Sequence, residues 1–433
     1  MKLYSVTNPA ITASFRDGVN RGIAADGGLF LPVNIPTLPQ GFLHDLRSYS
    51  FQETSYQLAT LLLDGEIPAA DLWQIVTEAM TFPVPLRFLD DSTSVLELFH
   101  GPTLAFKDVG ARFMARTLAY LHRHDSRELT ILVATSGDTG SAVASGFLKV
   151  NGMHVILLYP SGRVSTIQEM QLTTLGENVS ALEIDGTFDD CQRLVKQAFA
   201  DPDLSSRKTL TSANSINIAR LLPQAFYYFH AFAQLGNVTQ PVVFSVPSGN
   251  LGNLTAGLIA ARMGLPVHRF IAATNANKVV PHYLETGEFL PAPSVATISN
   301  AMDVGNPSNF ARIGALYDGR VDAIRQTLYS TSCHDAETRQ EIIETHKRVG
   351  YIFDPHGAVA SLALRRYRAQ TPERVDGIVL ATAHPAKFLD VYDDALKQAI
   401  QVPERLRACM QGTKRSIRLS SNFQDLKSYI LTS

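Results

Sequence analysis

Several short segments of this 433-residue chain bring together residue types that could do chemistry. The first, Phe99-His100-Gly101-Pro102-Thr103-Leu104-Ala105-Phe106-Lys107-Asp108, runs into an apolar-periodic stretch from Val109 to about Leu121. Lys107 therefore falls in the first turn of a helix, where the positive end of the dipole disfavours a cation. An amine flanked by apolar Leu104 and Phe106 is poorly hydrated and suited to forming a Schiff base, with an ordinary solvated lysine as the plainer alternative.

Two further segments have the look of anion-binding turns. Ala134-Thr135-Ser136-Gly137-Asp138-Thr139-Gly140-Ser141 lies between a strand pattern and a helix pattern, and successive backbone N–H groups at a helix start can hold a carboxylate or phosphate. Ordinary helix capping would use the same residues. In Ser245-Val246-Pro247-Ser248-Gly249-Asn250-Leu251-Gly252-Asn253-Leu254 the G-N-x-G-N spacing lets several amides converge on one anion, with Asn250 and Asn253 adding side-chain donors. It reads as a phosphate cradle, without the Lys-Ser/Thr of a nucleotide P-loop or the full G-x-G-x-x-G of a dinucleotide fold. Asn214-Ser215-Ile216-Asn217-Ile218-Ala219-Arg220 sets a fork-shaped cation among small polar residues, suited to phosphate or to a structural role. Leu380-Ala381-Thr382-Ala383-His384-Pro385-Ala386-Lys387 ends a buried-type strand on a hydroxyl, where open α/β sheets bind ligands. His384 there is expected to make a local hydrogen bond.

The elements that must position these segments alternate along the chain. Apolar runs at 129–135, 154–159, 179–184, 241–246, 269–274 and 376–382 predict buried parallel strands, and 141–150, 189–199 and 253–263 have the length of crossover helices. The fold class is α/β. An N-terminal unit carries helices near 50–63 and 68–80, then breaks at Phe82-Pro83-Val84-Pro85. Between 274 and 376 the pattern is mainly helical, notably 335–348 and 358–366, and places no strand.

Composition bounds the partners. With 45% hydrophobic residues the chain can bury a sizeable core, and 38 Lys plus Arg against 40 Asp plus Glu leave a formal charge of −2. There is no general pull toward nucleic acid or anionic lipid, so any anion site is local. Cys191, Cys333 and Cys409 form no C-x-x-C pair, which argues against a metal or redox centre and for a reducing, cytoplasmic setting. No apolar run reaches the roughly 18 residues of a membrane span.

Taken together and in order, these segments resemble the threonine synthase branch of the fold type II (tryptophan synthase β-like) pyridoxal-phosphate enzymes. The resemblance runs from "TASFRDGVNRGIAADGGLFL" through "GPTLAFKD", "ATSGDTGSA", "GTFDDCQ", "PSGNLGN" and "DPHGAVA" to "ATAHPAKF". It implies two open α/β domains around a cofactor cleft, at 99–235 and 236–433, preceded by an N-terminal unit at 1–98. It makes Lys107 the lysine that forms the Schiff base with pyridoxal 5′-phosphate. Ser248, Gly249, Asn250, Leu251, Gly252 and Asn253 would cradle the cofactor phosphate, and Thr382 would face its pyridine nitrogen. Ser136, Gly137, Asp138 and Thr139 match the loop that grips the substrate carboxylate, with Asp138 also beside the cofactor's 3′ oxygen. Asp138 stands where related β-eliminating enzymes have Asn, and a carboxylate can only accept a hydrogen bond there. Ser215, Arg220 and Asn250, with Thr139, match groups near the substrate phosphate.

The implied reaction is loss of phosphate from Cγ of O-phospho-L-homoserine and addition of water at Cβ, giving L-threonine, with Lys107 moving the α and β protons. The implied partners are that small-molecule substrate and at most a second copy of the chain. A threonine or serine ammonia-lyase of the same fold needs no pocket for a substrate phosphate, and a catalytically inactive binder of the same scaffold needs no lysine.

Overall fold

The computed structural model describes residues 1–135 and 137–433. Two open sheets carry the fold. One has six strands in the order Leu328–Ser332, Arg269–Thr274, Val242–Pro247, Asp376–Ala381, Thr93–Glu97 and Leu86–Phe88, all parallel but for the last pair. The other has five parallel strands, Ile417–Ser420, Val179–Asp185, Met153–Pro160, Leu129–Ala134 and Thr209–Ser212. Every residue of Leu129–Ala134 and of Val242–Pro247 is buried, because helices cover both faces, and this is why these strands read as continuous apolar runs. A small antiparallel sheet, Thr12–Ser14, Lys2–Ser5 and Phe30–Pro32, sits in the N-terminal part.

The six strands predicted from apolar runs are present to within one or two residues, and the helices near 50–63, 68–80, 109–121 and 253–263 form as Phe51–Leu63, Ala69–Ala79, Lys107–His122 and Gly252–Met263. The first of these is fixed by a capping box between Ser50 and Glu53. The sheets do not follow the divisions at 98/99 and 235/236. Leu86–Phe88 and Thr93–Glu97 are the last two strands of the six-stranded sheet, the former its edge, and Arg368 bonds the Ser92 carbonyl and the Thr93 hydroxyl. Ile417–Ser420 joins the five-stranded sheet beside Val179–Asp185, and the helix Phe423–Thr432 buries Leu426 and Ile430 in the cluster that contains Cys191 and Leu194. Short edge strands pair with distant sequence, so no local pattern announces them. The region 274–376 also holds a strand, Leu328–Ser332, parallel to Arg269–Thr274.

Among the described residues, no helix is long and apolar enough to cross a membrane. The carboxyl ends of Leu129–Ala134, Val242–Pro247 and Asp376–Ala381 lead directly into the three turns singled out above.

Candidate active site

The lysine turn is zipped to the end of the strand Asp376–Ala381. Ala105 and Ala383 form an isolated antiparallel bridge, the Phe106 N–H donates to the Thr382 carbonyl at 2.9 Å, and the His384 N–H to the Leu104 carbonyl at 3.1 Å. Leu104 pays for the tight turn with a left-handed φ of 59°. Asp108 locks it from inside, its two oxygens accepting from the Thr103 N–H and hydroxyl, both at 2.8 Å. Gly101 is obligatory here, since a Cβ would lie 2.4 Å from Asp108 Oδ2. Burial raises the Asp108 pKa to about 6, against the opposing pull of the Thr103 hydrogen bonds. Lys107 opens the helix Lys107–His122, with Nζ 5.2 Å from the centre of the Phe106 ring. The residue keeps an exposed edge, yet protein surrounds its amine, and this desolvation pushes its pKa down. Asp138 opposes that shift and Lys387 and Arg220 reinforce it, so these four groups sit within electrostatic reach of one another. His384 makes the local bond expected of it, its Nδ1 accepting from the Ala386 N–H at 3.1 Å.

The turn after Val242–Pro247 is an open cradle. Leu251 adopts a left-handed φ of 62° and leads into the helix Gly252–Met263, whose first turn has no side-chain cap. Its N–H groups are therefore available to an anion. Asn253 is buried with Oδ1 accepting from the hydroxyls of Tyr227 at 2.6 Å and Tyr228 at 2.7 Å. Those bonds fix the amide, whose Nδ2 has no partner among the described residues. An orphaned buried donor beside an uncapped helix start fits a bound phosphate. Gly249 presses against the backbone of Ala301 and Met302, which His356 holds in place: its Nε2 accepts from the Ala301 N–H at 3.2 Å and its Nδ1 bonds Asp354 at 2.7 Å. Ser248 is turned inward, its hydroxyl donating to the Val246 carbonyl at 2.8 Å.

The turn after Leu129–Ala134 is built differently. Gly137, at φ 153°, packs on Gln168, and the Thr135 hydroxyl accepts from the Gly137 and Gly140 N–H groups at 3.1 and 2.8 Å. Asp138 begins the helix Asp138–Phe147, Thr139 is half-buried on the same turn, and Ser136 lies outside the described residues. The Asp138 carboxylate is buried against Lys387, with Nζ at 2.6 Å from Oδ1, and the same oxygen accepts from Gln168 Nε2 at 3.0 Å. Burial alone would raise its pKa, but Lys387 and Lys107 overcome that and hold it below the usual carboxylate range. Lys387 is the buried charge at this turn that the sequence reading passed over. A lysine inside an otherwise apolar turn after a buried strand was the available signal.

Arg220 is buried on the short helix Ile218–Leu221, whose backbone packs on Gly110 of the lysine helix. One guanidinium nitrogen donates to the Ala213 carbonyl at 2.5 Å, Nε has no partner among the described residues, and burial brings its pKa down to about 10. Ser215 and Asn250 meet, with Nδ2 2.7 Å from the hydroxyl oxygen, so the serine proton is left to donate elsewhere. Behind them lies a second residue the sequence did not reveal. Arg312, fully buried, bonds the Phe30 carbonyl at 2.9 Å, Asn309 at 2.7 Å and the Ile216 carbonyl at 2.6 Å, while Asn309 holds the Asn250 carbonyl at 2.9 Å. The N-terminal sheet is thus tied to the Ser215 and Asn250 wall.

The arrangement offers one neutral phosphate cradle, one buried guanidinium whose Nε has no partner among the described residues, and a lysine whose pKa burial lowers. Three comparisons bear on what it serves. The family of pyridoxal-phosphate dependent enzymes matches residues 93–382, and the threonine synthase N-terminal and C-terminal families match 3–80 and 357–430. The chain is 45% identical over 434 residues to a threonine synthase of Haemophilus influenzae, covering 100% of each. It is 42% identical over 432 residues to that of Escherichia coli K12, covering 100% of this chain and 99% of the relative. A solved pyridoxal-phosphate-bound threonine synthase from Brucella melitensis superposes with a TM-score of 0.92 at 37% identity, over 100% of this chain and 99% of that one. Its cofactor is pyridoxal phosphate, and the chain belongs to the threonine synthase family.

Proposed function

We propose that the cleft converts O-phospho-L-homoserine and water to L-threonine and inorganic phosphate, with Lys107 as the cofactor lysine and proton carrier. When bound, pyridoxal phosphate supplies an electron sink conjugated to the substrate's Cα. The chain does the rest. The uncapped start of Gly252–Met263 and Asn253 Nδ2 would hold the cofactor phosphate, and Thr382, joined to the lysine turn through Phe106, would serve the pyridine nitrogen. The first turn of Asp138–Phe147, with Thr139, takes the substrate carboxylate. Lys107 Nζ, whose pKa burial lowers, is the base for the α and then the β proton.

The observation that carries this reading over an ammonia-lyase is Arg220. It is a buried guanidinium whose Nε has no partner among the described residues, within electrostatic reach of Lys107, and the Ser215 hydroxyl of the same segment is free to donate. A second phosphate, the leaving group, satisfies it. Arg220→Ala is expected to keep the cofactor's visible band and lose about ten- to a hundredfold in kcat/KM for O-phosphohomoserine, the worth of one charge-assisted bond at about 1.5–3 kcal/mol. Steady-state phosphate release, with L-serine deamination as control, checks it. An equal fall in both activities makes Arg220 structural.

A further inference from the structure

Lys387 is a lysine with no exposed side chain in the wall of the cleft. Burying an ammonium costs several kcal/mol unless it is well paired, and an apolar pair would satisfy a purely structural site with less loss. Two of its three protons are committed, to Asp138 Oδ1 at 2.6 Å and to the Thr103 carbonyl at 3.0 Å. The third is left. Both partners border Lys107: Thr103 belongs to the lysine turn through its bonds to Asp108, and the charge of Asp138 acts on the Lys107 amine.

The covalent chemistry of the cofactor says what must lie there. In pyridoxal phosphate the 3′ oxygen is carried by the ring carbon adjacent to the one bearing the aldehyde, so a lysine joined to the aldehyde carbon has that anionic oxygen as its immediate neighbour. Asp138 cannot serve it. Its carboxylate is ionised, has no proton to give, and would repel a second negative oxygen, while its Oδ1 is already taken by Lys387 and Gln168.

We propose that Lys387 is the group facing the cofactor's 3′ oxygen, an ammonium held in place by Asp138 and the Thr103 carbonyl, with Asp138 as its tether. This rests on Lys107 being the cofactor lysine. It resolves the presence of aspartate at a position where a carboxylate alone would be unfavourable. Lys387 is a positioning and charge-setting residue: its cation stabilises the negative 3′ oxygen and lowers the affinity of the adjacent nitrogen for its proton. The other charges facing this point are Lys107 itself, Asp108 on the lysine helix, Arg220 on Ile218–Leu221 and Asp354 at the start of Pro355–Gln370. None of them is altered by the test.

Apo-protein carrying Lys387→Met is titrated with pyridoxal phosphate, and the absorbance band of the bound cofactor is then followed from pH 6 to 10. The band should persist and remain reducible by borohydride on Lys107. Its transition should move upward by about one pH unit or more, the scale of one nearby charge, and cofactor affinity should weaken about tenfold. Lys387→Arg, which keeps the charge, should bring the transition back toward wild type. If Lys387→Met does not fold because Asp138 is left unpaired, Lys387→Gln removes the charge while its amide can still donate to Asp138, and the upward displacement is still expected. A wild-type transition and wild-type affinity in either folded variant overturn the proposal, since a merely structural lysine would change thermal stability and leave the band alone. Failure of the Lys107 assignment looks different: the wild-type protein itself would carry no borohydride-reducible label on Lys107, and the proposal would fall with its premise.

Discussion

Two strand-to-helix turns of the candidate site solve the problem of a buried anion site in opposite ways. The turn at Ser248–Asn253 contains no charge at all. It leaves a helix start uncapped and one amide nitrogen unpartnered, and relies on two tyrosine hydroxyls to aim that amide. The turn at Thr135–Thr139 carries a buried carboxylate, neutralised from outside by Lys387 and steadied by Gln168. The first meets its anion with dipoles alone; the second sets a charge pair beside the helix start that would take the substrate carboxylate. Similar local backbone chemistry therefore gives a ligand cradle in one place and a fixed charge pair in the other, and the difference lies in residues distant in sequence.

The largest effect should come from breaking the charged turn. Asp138→Ala leaves Lys387 buried and unpaired, and the apo-protein should lose about 3–5 kcal/mol in denaturant unfolding. Asn253→Ala in the neutral turn takes the side-chain acceptor from two buried tyrosine hydroxyls, of which Tyr228 keeps the Asn253 carbonyl at 3.0 Å, and should cost about 1–3 kcal/mol. Equal losses would mean that the two turns do not differ as described.

The sequence carried one turn more fully than the other. The cradle was legible because its signal is local: glycines and asparagines at fixed spacing after a buried run, with Leu251 alone giving no hint of its left-handed φ. The parallel strands were legible for the same reason, since full burial leaves a continuous apolar run. Asp138 was visible, but its partner lies 249 positions away and belongs to another turn, so its ionisation could not be read. Arg312 was hidden likewise, in a region whose strand Leu328–Ser332 has a weakly apolar edge pattern. What escaped was pairing across the chain: two buried cations and the short strands at 86–88, 93–97 and 417–420.

Asp108 provides a control for the role of the cation, being a buried aspartate in the first turn of a helix with hydrogen bonds but no lysine in contact. Its pKa is raised from 3.8 to about 6, chiefly by burial, whereas that of Asp138 is lowered by Lys387 and Lys107. The signs differ accordingly. Below pH 4 the Asp108 carboxyl is protonated in both the folded and unfolded chains and its contribution is fully present. Between pH 4 and 6 the unfolded chain gives up the proton and the folded one retains it, so stability falls as pH rises, by about 1.4 kcal/mol per unit and about 3 kcal/mol in all. Asp108→Asn should remove that slope from unfolding curves of the apo-protein across this window. A slope that persists would assign it to another group and weaken the contrast between the two aspartates.

The smallest expected effect separates the two glycines of the cradle, which the sequence treats alike. A Cβ on Gly249 would lie 2.8 Å from the Ala301 carbonyl oxygen and 2.9 Å from Met302 Cα. That clash is with backbone, anchored by His356, so it cannot be relieved by a side-chain rotation. Gly249→Ala should destabilise the apo-protein by about 1–3 kcal/mol, the usual cost of overpacking. A Cβ on Gly252 meets nothing closer than Asn309 Nδ2 at 3.6 Å and Ser215 Cβ at 3.8 Å, ordinary contact distances. It occupies the first position of an uncapped helix whose N–H groups are reserved for the phosphate. Gly252→Ala should therefore leave apo unfolding unchanged within about 0.5 kcal/mol, and weaken pyridoxal phosphate about tenfold, or about 1.4 kcal/mol. Thermal unfolding of both apo variants, paired with fluorescence titration by the cofactor, reads the two effects separately. If Gly252→Ala instead lowers apo stability and leaves cofactor affinity untouched, the helix start is a packing site, and the phosphate is held elsewhere.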